Sequence, residues 1–231
     1  MTEARVYSAH RVAQAIVEHC RVAGRRLLFI SGNGGAGKTE LSKAIAQEAG
    51  NFGHANIIDM DDFVVDTKLR NSATASWTDI TGTLQNGRYT TAFAASYFLQ
   101  NIKAILYNIE MGNNYYHWPK KARIGGECRL LFGDAVVTIV DGVGTVFLDK
   151  DAARSVCIFV QCSKELEIAR RIQRARFSNE KDEAAVLKNF DERNSQYKAM
   201  IEPHIVEYGL VLESLDDYSL SITRNDYDFP L

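Results

Sequence analysis

The segment of this chain best suited to chemistry is the run of eight residues GNGGAGKT. It fits the pattern G-x-x-x-x-G-K-[ST], in which glycines let backbone N–H groups turn inward around nucleotide phosphates. Lys38 is expected to reach the β and γ phosphates, and Thr39 is expected to offer its hydroxyl to Mg²⁺. A nucleoside triphosphate is therefore expected to contact Gly32, Asn33, Gly34, Gly35, Ala36, Gly37, Lys38 and Thr39.

The sequence on both sides of this loop favours binding over a glycine-rich turn that fits the pattern by chance. Residues 26–31 (RLLFIS) predict a short apolar strand, and residues 40–49 (ELSKAIAQEA) predict a helix. A helix that begins at such a loop directs the positive end of its dipole at the anion. Strand, loop and helix follow in the order that phosphate binding needs.

Acidic residues follow two further predicted strands, 55–59 and 136–140. Ligands bind at the carboxyl ends of parallel strands, and phosphoryl transfer needs one carboxylate for Mg²⁺ and another for the attacking hydroxyl. Asp141 fits the metal role, although an Asp before Gly142 is also typical of a turn. Asp59, Asp61 and Asp62 could supply the other carboxylate, but helix capping or solvated loop charge would also explain at least one of them.

A predicted helix over residues 164–176 carries four arginines within two turns: Arg170, Arg171, Arg174 and Arg176. Arg170 and Arg174 are four residues apart and share a face, whereas Arg171 points elsewhere. A basic helix face is usually only solvated. In a protein that holds a triphosphate, however, such a helix can close over the transferring phosphoryl group, since guanidinium groups grip phosphate oxygens bidentately.

Hydrophobic periodicity places these residues in an α/β fold. Strands that are apolar throughout alternate with helices, which predicts three α/β/α layers around a five-stranded, mostly parallel sheet. A single domain over 1–231 is expected, with an N-terminal helix in 1–24, a hairpin excursion over about 112–133 and a lid over about 164–200. The remaining predictions are an irregular stretch over 67–90, a helix over 91–110, a strand over 156–161, helices over 164–176 and 182–201, and a last strand over 206–212.

Composition restricts the partners and the compartment. The chain has 231 residues, of which 46% are hydrophobic and 24% charged, and its net charge is −2. We therefore expect neither a general nucleic-acid partner nor a membrane. The N-terminus lacks the apolar run of a signal peptide, and the four cysteines show no C-x-x-C spacing, which predicts reduced thiols and a cytoplasmic location. A homo-oligomer is compatible with the sequence.

Four stretches, in order along the chain, resemble the uridine kinase-like P-loop kinases, the group that also contains phosphoribulokinase and bacterial pantothenate kinase. They are the loop SGNGGAGKT, the D-x-F element at residues 61–63, the strand end Val140-Asp141-Gly142, and the lid ARRIQRAR with the later Gln196-Tyr197 and Pro203. The resemblance implies a P-loop NTPase fold with a kinase-type lid helix, ATP as donor and Mg²⁺ held by Thr39 and Asp141. It also implies Asp61 as catalytic base and substrate contact, Lys38, Arg170 and Arg174 in catalysis, and Arg171 on the nucleotide.

The acceptor side departs from the family pattern. Val64 stands where family nucleoside kinases usually have Tyr, and the R-G-R after the lid arginines is replaced by residues 177–180 (FSNE). The family's substrate hairpin carries aromatic, His and Arg residues. Their counterparts here, together with the acceptor-side Gln, would be Tyr116, His117, Arg123 and Gln196, although His117 could equally lie on the surface of the hairpin. Kinase chemistry is thus better supported than uridine as acceptor.

Two functions follow from different classes. The first is a kinase that transfers the γ-phosphoryl group of ATP·Mg²⁺ to a hydroxyl of a small nucleoside-, sugar- or vitamin-like molecule, and an enzyme that modifies an antibiotic or a nucleotide-sugar stays within this class. The alternative is a nucleotide-dependent switch or assembly ATPase acting on a protein partner. The absence of an N-K-x-D guanine signature and the short chain weigh against the switch.

Overall fold

The computed structural model describes residues 5–120, 127–178, 184, 187 and 189–231. Its main sheet has seven strands in the order β1-β11-β10-β9-β2-β8-β3. These strands are β1 (Val6–Tyr7), β2 (Leu27–Gly32), β3 (Ala55–Asp59), β8 (Val137–Asp141), β9 (Ser155–Gln161), β10 (Leu210–Ser214) and β11 (Leu220–Asn225). Two separate hairpins pair β4 (Thr74–Thr78) with β5 (Leu84–Arg88), and β6 (Tyr115–His117) with β7 (Arg129–Leu131).

Five neighbouring strands of the main sheet, β10, β9, β2, β8 and β3, run parallel. β11 and β1 add an antiparallel edge beside β10. The mostly parallel α/β sheet is confirmed, but the prediction of five strands is wrong, because β1 has two residues and β11 (LSITRN) mixes apolar and polar positions. Neither strand carries the continuous apolar run that identifies a buried strand.

Helices cover both faces of this sheet. Successive side chains of a strand point to opposite sides, so a strand that is apolar throughout presents apolar side chains to both faces. Leu28 and Ile30 of β2 pack into one buried cluster, and Phe29 packs into the other. The first cluster includes α1 (Ala9–Ala23) and α2 (Lys38–Ala49). The second includes α4 (Leu99–Glu110) and Tyr208. The sheet therefore divides the core into two layers, and both consist of buried hydrophobic side chains.

The helix predicted at the N-terminus begins and ends at recognisable caps. The Ser8 side chain accepts a hydrogen bond from the Arg11 N–H at 3.2 Å, and Gly24 closes α1 in the left-handed region at φ 66°. Its buried side chains are Val12, Ala13, Ala15, Ile16, Val17 and Cys20. The amphipathic pattern of the sequence therefore identifies the face that packs on α2 and the sheet.

The stretch 67–90, predicted to be irregular, is ordered into a short helix, α3 (Thr67–Ser72), and the hairpin β4–β5. Two buried residues of β4, Ala75 and Trp77, alternate with exposed polar residues, and the Trp77 indole N–H donates to Ser195 Oγ at 3.3 Å. The many polar residues of the stretch 67–90 are the reason that the sequence did not predict this alternation. Contact with a helix far along the chain stabilises the hairpin.

Several boundaries also differ from the predicted ones. The helix expected over 91–110 begins at Leu99, since a 3₁₀ turn, Ala94–Ser96, precedes it. The lid helix α5 (Lys164–Ser178) is two residues longer than predicted, and α6 (Phe190–Met200) occupies the described part of the predicted helix 182–201. The strand predicted over 206–212 corresponds to β10, which begins only at Leu210. The start is later than predicted because Glu202–Glu207 form a 3₁₀ helix. Within the described ranges, no helix is long and apolar enough to cross a membrane.

Candidate active site

The loop between β2 and α2 needs glycine at three positions, Gly32, Gly35 and Gly37. A Cβ at Gly32 would lie 1.8 Å from the Val160 carbonyl oxygen, and Gly35 and Gly37 have φ values of 72° and 89°. Gly37 precedes α2 and provides no side-chain cap to the first N–H groups of that helix. These uncapped donors face the loop, which is the arrangement that binds phosphate oxygens.

Lys38 places its ammonium group over the same loop. Lys38 Nζ donates to the carbonyl oxygens of Gly32 and Asn33 at 3.1 and 2.8 Å. Burial lowers the pKa of Lys38, and the nearby Asp141 carboxylate opposes that shift. The loop thus holds a cation that can exchange weak carbonyl partners for phosphate oxygens.

Asp141, at the end of β8, meets Thr39 at the beginning of α2. Thr39 Oγ1 donates to Asp141 Oδ2 at 3.1 Å, whereas Asp141 Oδ1 has no hydrogen-bond partner although the residue is only 4% exposed. Burial raises the pKa of Asp141, and Lys38 opposes the shift. An unpartnered carboxylate oxygen beside a hydroxyl fits Mg²⁺, which takes one or two protein oxygens and completes its shell with phosphate and water. The described residues contain no larger group of acidic, His or Cys ligands.

The acidic residues after β3 have three different environments. Asp59 is partly buried and accepts a hydrogen bond from the Asp61 N–H at 2.9 Å, and burial raises the pKa of Asp59 to about 6, with the neighbouring carboxylates adding to the shift. Asp61 is exposed and lines the same cavity as Lys38. Asp62 accepts from the Lys120 N–H at 2.8 Å and contacts His117 Nε2 at 3.2 Å.

These contacts decide the role of Asp62. Burial alone would raise the pKa of Asp62, but its hydrogen bonds with His117 and Lys120 lower it below the ordinary value. Both contacts of the Asp62 carboxylate are therefore made with β6 and with the segment that follows this strand. Asp59 and Asp61 remain as the carboxylates that face the cavity, and Asp62 acts as an anchor.

The sequence pattern predicts that Arg170 and Arg174 share a helix face, but the structure brings Arg171 and Arg174 to the cavity. Arg171 and Arg174 line the cavity, and Arg171 Nε donates to Glu167 Oε1 at 2.8 Å. Arg170 is only 6% exposed and lies behind the loop, where it donates to Gly35 O at 2.8 Å, to Ser214 Oγ at 3.0 Å and to Leu215 O. The Arg170 guanidinium also stacks on the Tyr218 ring. Arg170, expected to act in catalysis, is therefore not among the residues that line the cavity, and its hydrogen bonds fix it behind the loop.

The cavity that these residues share measures about 590 Å³. One side is the phosphate loop with Asp59, Asp61 and Asp141. The cavity is also lined by residues distant in sequence from the loop, and six of these form the group that we call the acceptor wall. Its members are Arg70, Thr90, Thr91, Ala92, Arg193 and Asn194.

Most of the residues expected to contact an acceptor lie elsewhere. The Tyr116 side chain is 70% exposed on the hairpin, and His117 is buried against Asp62 and stacks on Phe63. Gln196 is fully buried, accepts from the Thr90 hydroxyl and donates to Arg88 O at 3.0 Å. It positions the acceptor wall without lining the cavity, and Arg123 lies outside the described residues.

Sequence reasoning missed Arg193 and Arg70, which do line the cavity. Arg193 lies one helical turn before Gln196, so the spacing alone could have identified it as a neighbour of the expected acceptor contact. Arg70 lies in the stretch predicted to be irregular, and no sequence pattern connects it to the loop.

Known proteins share the sequence pattern and the fold of this chain. The sequence model described as the phosphoribulokinase/uridine kinase family matches residues 27–221. D-glycerate 3-kinase from Cryptococcus neoformans has a TM-score of 0.65 at 10% identity, covering 92% of this chain and 97% of that chain. Phosphoribulokinase from Rhodobacter spheroides has a TM-score of 0.56 at 13% identity, covering 83% and 70%. At these identities the structures share the fold, and no curated protein matches the sequence.

Proposed function

We propose, since the chain belongs to the phosphoribulokinase/uridine kinase family, that it transfers the γ-phosphoryl group of ATP to a hydroxyl of a small molecule. One observation carries the proposal: the phosphate loop and the exposed carboxylate of Asp61 line the same cavity. A donor bound to the loop and an acceptor beside Asp61 would therefore meet without a large rearrangement of the chain.

The donor side would be held by the loop N–H groups, Lys38, Arg171 and Arg174. Glu167 pairs with Arg171 and orients its guanidinium toward the loop. Thr39 and Asp141 would hold Mg²⁺, which neutralises charge on the β and γ phosphates when bound. The two arginines would stabilise charge on the equatorial oxygens in the transition state.

The acceptor side needs a group that takes the hydroxyl proton. As the acceptor oxygen forms its bond to the γ phosphorus, the bond from that phosphorus to the β–γ bridging oxygen breaks and ADP leaves. Asp61 would accept the proton, which leaves a phosphate ester and a protonated carboxyl group. Asp62 is unsuited to this role, because both of its oxygens already contact His117 and Lys120.

Replacement of Asp61 tests the assignment. Asp61→Asn keeps the size of the side chain and removes the base, so kcat should fall about 10²- to 10⁴-fold while the Kd for ATP·Mg²⁺ stays within about threefold. Phosphorylated product and nucleotide binding would be measured separately, with Asp62→Asn as the matched control. Loss of turnover in Asp62→Asn together with normal turnover in Asp61→Asn would contradict the assignment.

A further inference from the structure

The acceptor wall carries two positively charged side chains, Arg70 and Arg193, which the transfer reaction alone does not require. Among the described residues, four arginines line the cavity, Arg70, Arg171, Arg174 and Arg193, and two of them belong to this wall. Arg171 is paired with Glu167 and belongs to the donor side. The two arginines of the wall therefore need a separate explanation.

Arg193 is a guanidinium group without an acidic partner among the described residues. Burial lowers its pKa, and the positive charges of Arg171, Arg88 and Arg70 lower it further, whereas Glu192 opposes the shift. Glu192 is itself committed to Arg88, since Arg88 Nε donates to Glu192 Oε2 at 2.8 Å. A partly buried cation surrounded by other cations is unfavourable unless an anion joins it.

Arg70 is held rigidly, but by neutral groups. It donates to Val65 O at 3.0 Å, to Tyr89 O at 3.2 Å and to Thr67 Oγ1 at 3.3 Å. These bonds fix the orientation of the guanidinium without neutralising its charge. A preoriented arginine is well suited to bind a phosphate or carboxylate, because its planar donors match the oxygens of both groups.

We propose, resting on the kinase function above, that the acceptor is an anion whose phosphate or carboxylate group is bound by Arg70 and Arg193, while its hydroxyl faces Asp61. The hydroxyls of Thr90 and Thr91 and the amide of Asn194 lie on the same wall and can bind further hydroxyl groups of such a molecule. A sugar phosphate or a hydroxy acid fits this chemistry. An uncharged nucleoside or polyol would leave both arginines uncompensated.

Matched pairs of acceptors test the inference without any variant. Formation of ADP and of phosphorylated product from ATP·Mg²⁺ would be followed with ribulose 5-phosphate against ribulose, D-glycerate against glycerol, and uridine 5′-phosphate against uridine, within a wider library of charged and neutral hydroxyl compounds. We expect kcat/KM for at least one anionic member to exceed that of its neutral partner by about 10- to 100-fold. The sugar phosphate and hydroxy acid arms identify which anionic group is preferred.

Arg193→Gln then tests the residue, with Arg154→Gln as the control, because the Arg154 side chain is 63% exposed and pairs with Glu110 away from the cavity. For the preferred anion, Arg193→Gln should raise the acceptor KM about 10- to 100-fold and leave the KM for ATP within about threefold. The control should change neither value.

The outcomes separate this inference from the kinase function. Efficient phosphorylation of neutral members, with no preference for anions and no effect of Arg193→Gln on the acceptor KM, would overturn the anionic acceptor and leave the kinase function standing. Phosphorylation of no library member by the wild-type protein would count against both.

Discussion

At the scale of single residues, buried carboxyl groups set the electrostatic state of the site. Asp59 and Asp141 lie on adjacent strands and are paired in register, so their charges are close together. Burial raises the pKa of both groups, and the Asp141 carboxylate also raises the pKa of Asp59, whereas Asp61 adds to the shift of Asp141. A site that holds these carboxylates near one another is stabilised by a bound cation, in agreement with the Mg²⁺ proposed for Thr39 and Asp141.

The raised pKa of Asp59 predicts a stability effect with a definite sign. Its pKa is raised from 3.8 to about 6, so the folded state binds this proton more tightly than the unfolded state does. The resulting stability is present below the ordinary pKa and is lost as pH rises through the raised one. Asp59→Asn, which keeps an oxygen acceptor for the Asp61 N–H, should therefore raise the free energy of unfolding at pH 8 by up to about 3 kcal/mol.

Urea unfolding of both proteins at several pH values without nucleotide would measure this effect. The difference should be largest above pH 7 and should shrink as the pH falls toward 4. Equal stability of the variant and the wild type at pH 8 would show that the Asp59 charge costs nothing in the folded state.

The Thr39 hydroxyl predicts a metal-dependent phenotype. Thr39→Ala removes the oxygen beside Asp141, so the Mg²⁺ concentration for half-maximal turnover should rise about tenfold or more. Thr39→Ser keeps the hydroxyl and should stay close to the wild type. Mg²⁺ titration of turnover at fixed ATP would compare the three proteins, and an unchanged requirement in Thr39→Ala would remove Thr39 from the metal site.

At the scale of elements, α5 is connected to the phosphate loop through two sets of hydrogen bonds. Arg170 donates to Gly35 O, and Asn33 Nδ2 donates to Glu167 Oε2 at 2.8 Å. Asn33 Oδ1 also accepts from the Cys162 N–H at 3.1 Å, which connects the loop to the end of β9. These bonds therefore fix the position of α5, which carries Arg171 and Arg174, relative to the phosphate loop.

This arrangement predicts opposite consequences for two arginines one turn apart. Arg170→Gln removes buried, charge-assisted hydrogen bonds and should lower the free energy of unfolding by about 2–3 kcal/mol. Arg174→Gln, at an exposed position, should change stability by less than about 0.5 kcal/mol but should lower kcat by at least about tenfold. Thermal unfolding and turnover of the two variants would be compared, and a stability loss confined to Arg174→Gln would contradict the assigned positions.

The elements also show why parts of the site could be predicted from the sequence. The loop depends on local spacing, and Asp141 follows a run of five residues of which four are apolar, so both are visible in a short window of sequence. Arg70 and Arg193 depend on the packing of α3 and α6 around the cavity, and the hairpin β4–β5 depends on the contact between Trp77 and Ser195. Such contacts between distant segments leave no local pattern. The buried position of Arg170 was missed for the same reason, because its partners Ser214 and Leu215 lie far along the chain.

At the scale of the whole molecule, the parallel sheet brings donor and acceptor chemistry to one edge. β2 ends at Gly32, β3 at Asp59 and β8 at Asp141, and these strands are neighbours with the same direction. A ligand that bridges their carboxyl ends with α2 and α5 should stabilise the fold as a unit. ATP·Mg²⁺ at a hundred times its Kd should raise the free energy of unfolding by about 2.7 kcal/mol.

Lys38→Ala should abolish most of this stabilisation, whereas Lys43→Ala, at an exposed position on the same helix, should retain it. Thermal unfolding with and without ATP·Mg²⁺ would compare the three proteins. The same nucleotide-dependent shift in Lys38→Ala as in the wild type would mean that the triphosphate binds outside the loop.

The central claim is phosphoryl transfer to a small molecule, and ³¹P NMR of the wild-type protein with ATP, Mg²⁺ and the library of hydroxyl compounds tests it most directly. A kinase predicts that the γ-phosphate resonance disappears as ADP and a new phosphomonoester resonance grow in equal amounts, and that Asp61→Asn suppresses both products. Conversion of ATP into ADP and inorganic phosphate alone, with no phosphomonoester from any compound, would contradict the account and favour a nucleotide-hydrolysing switch.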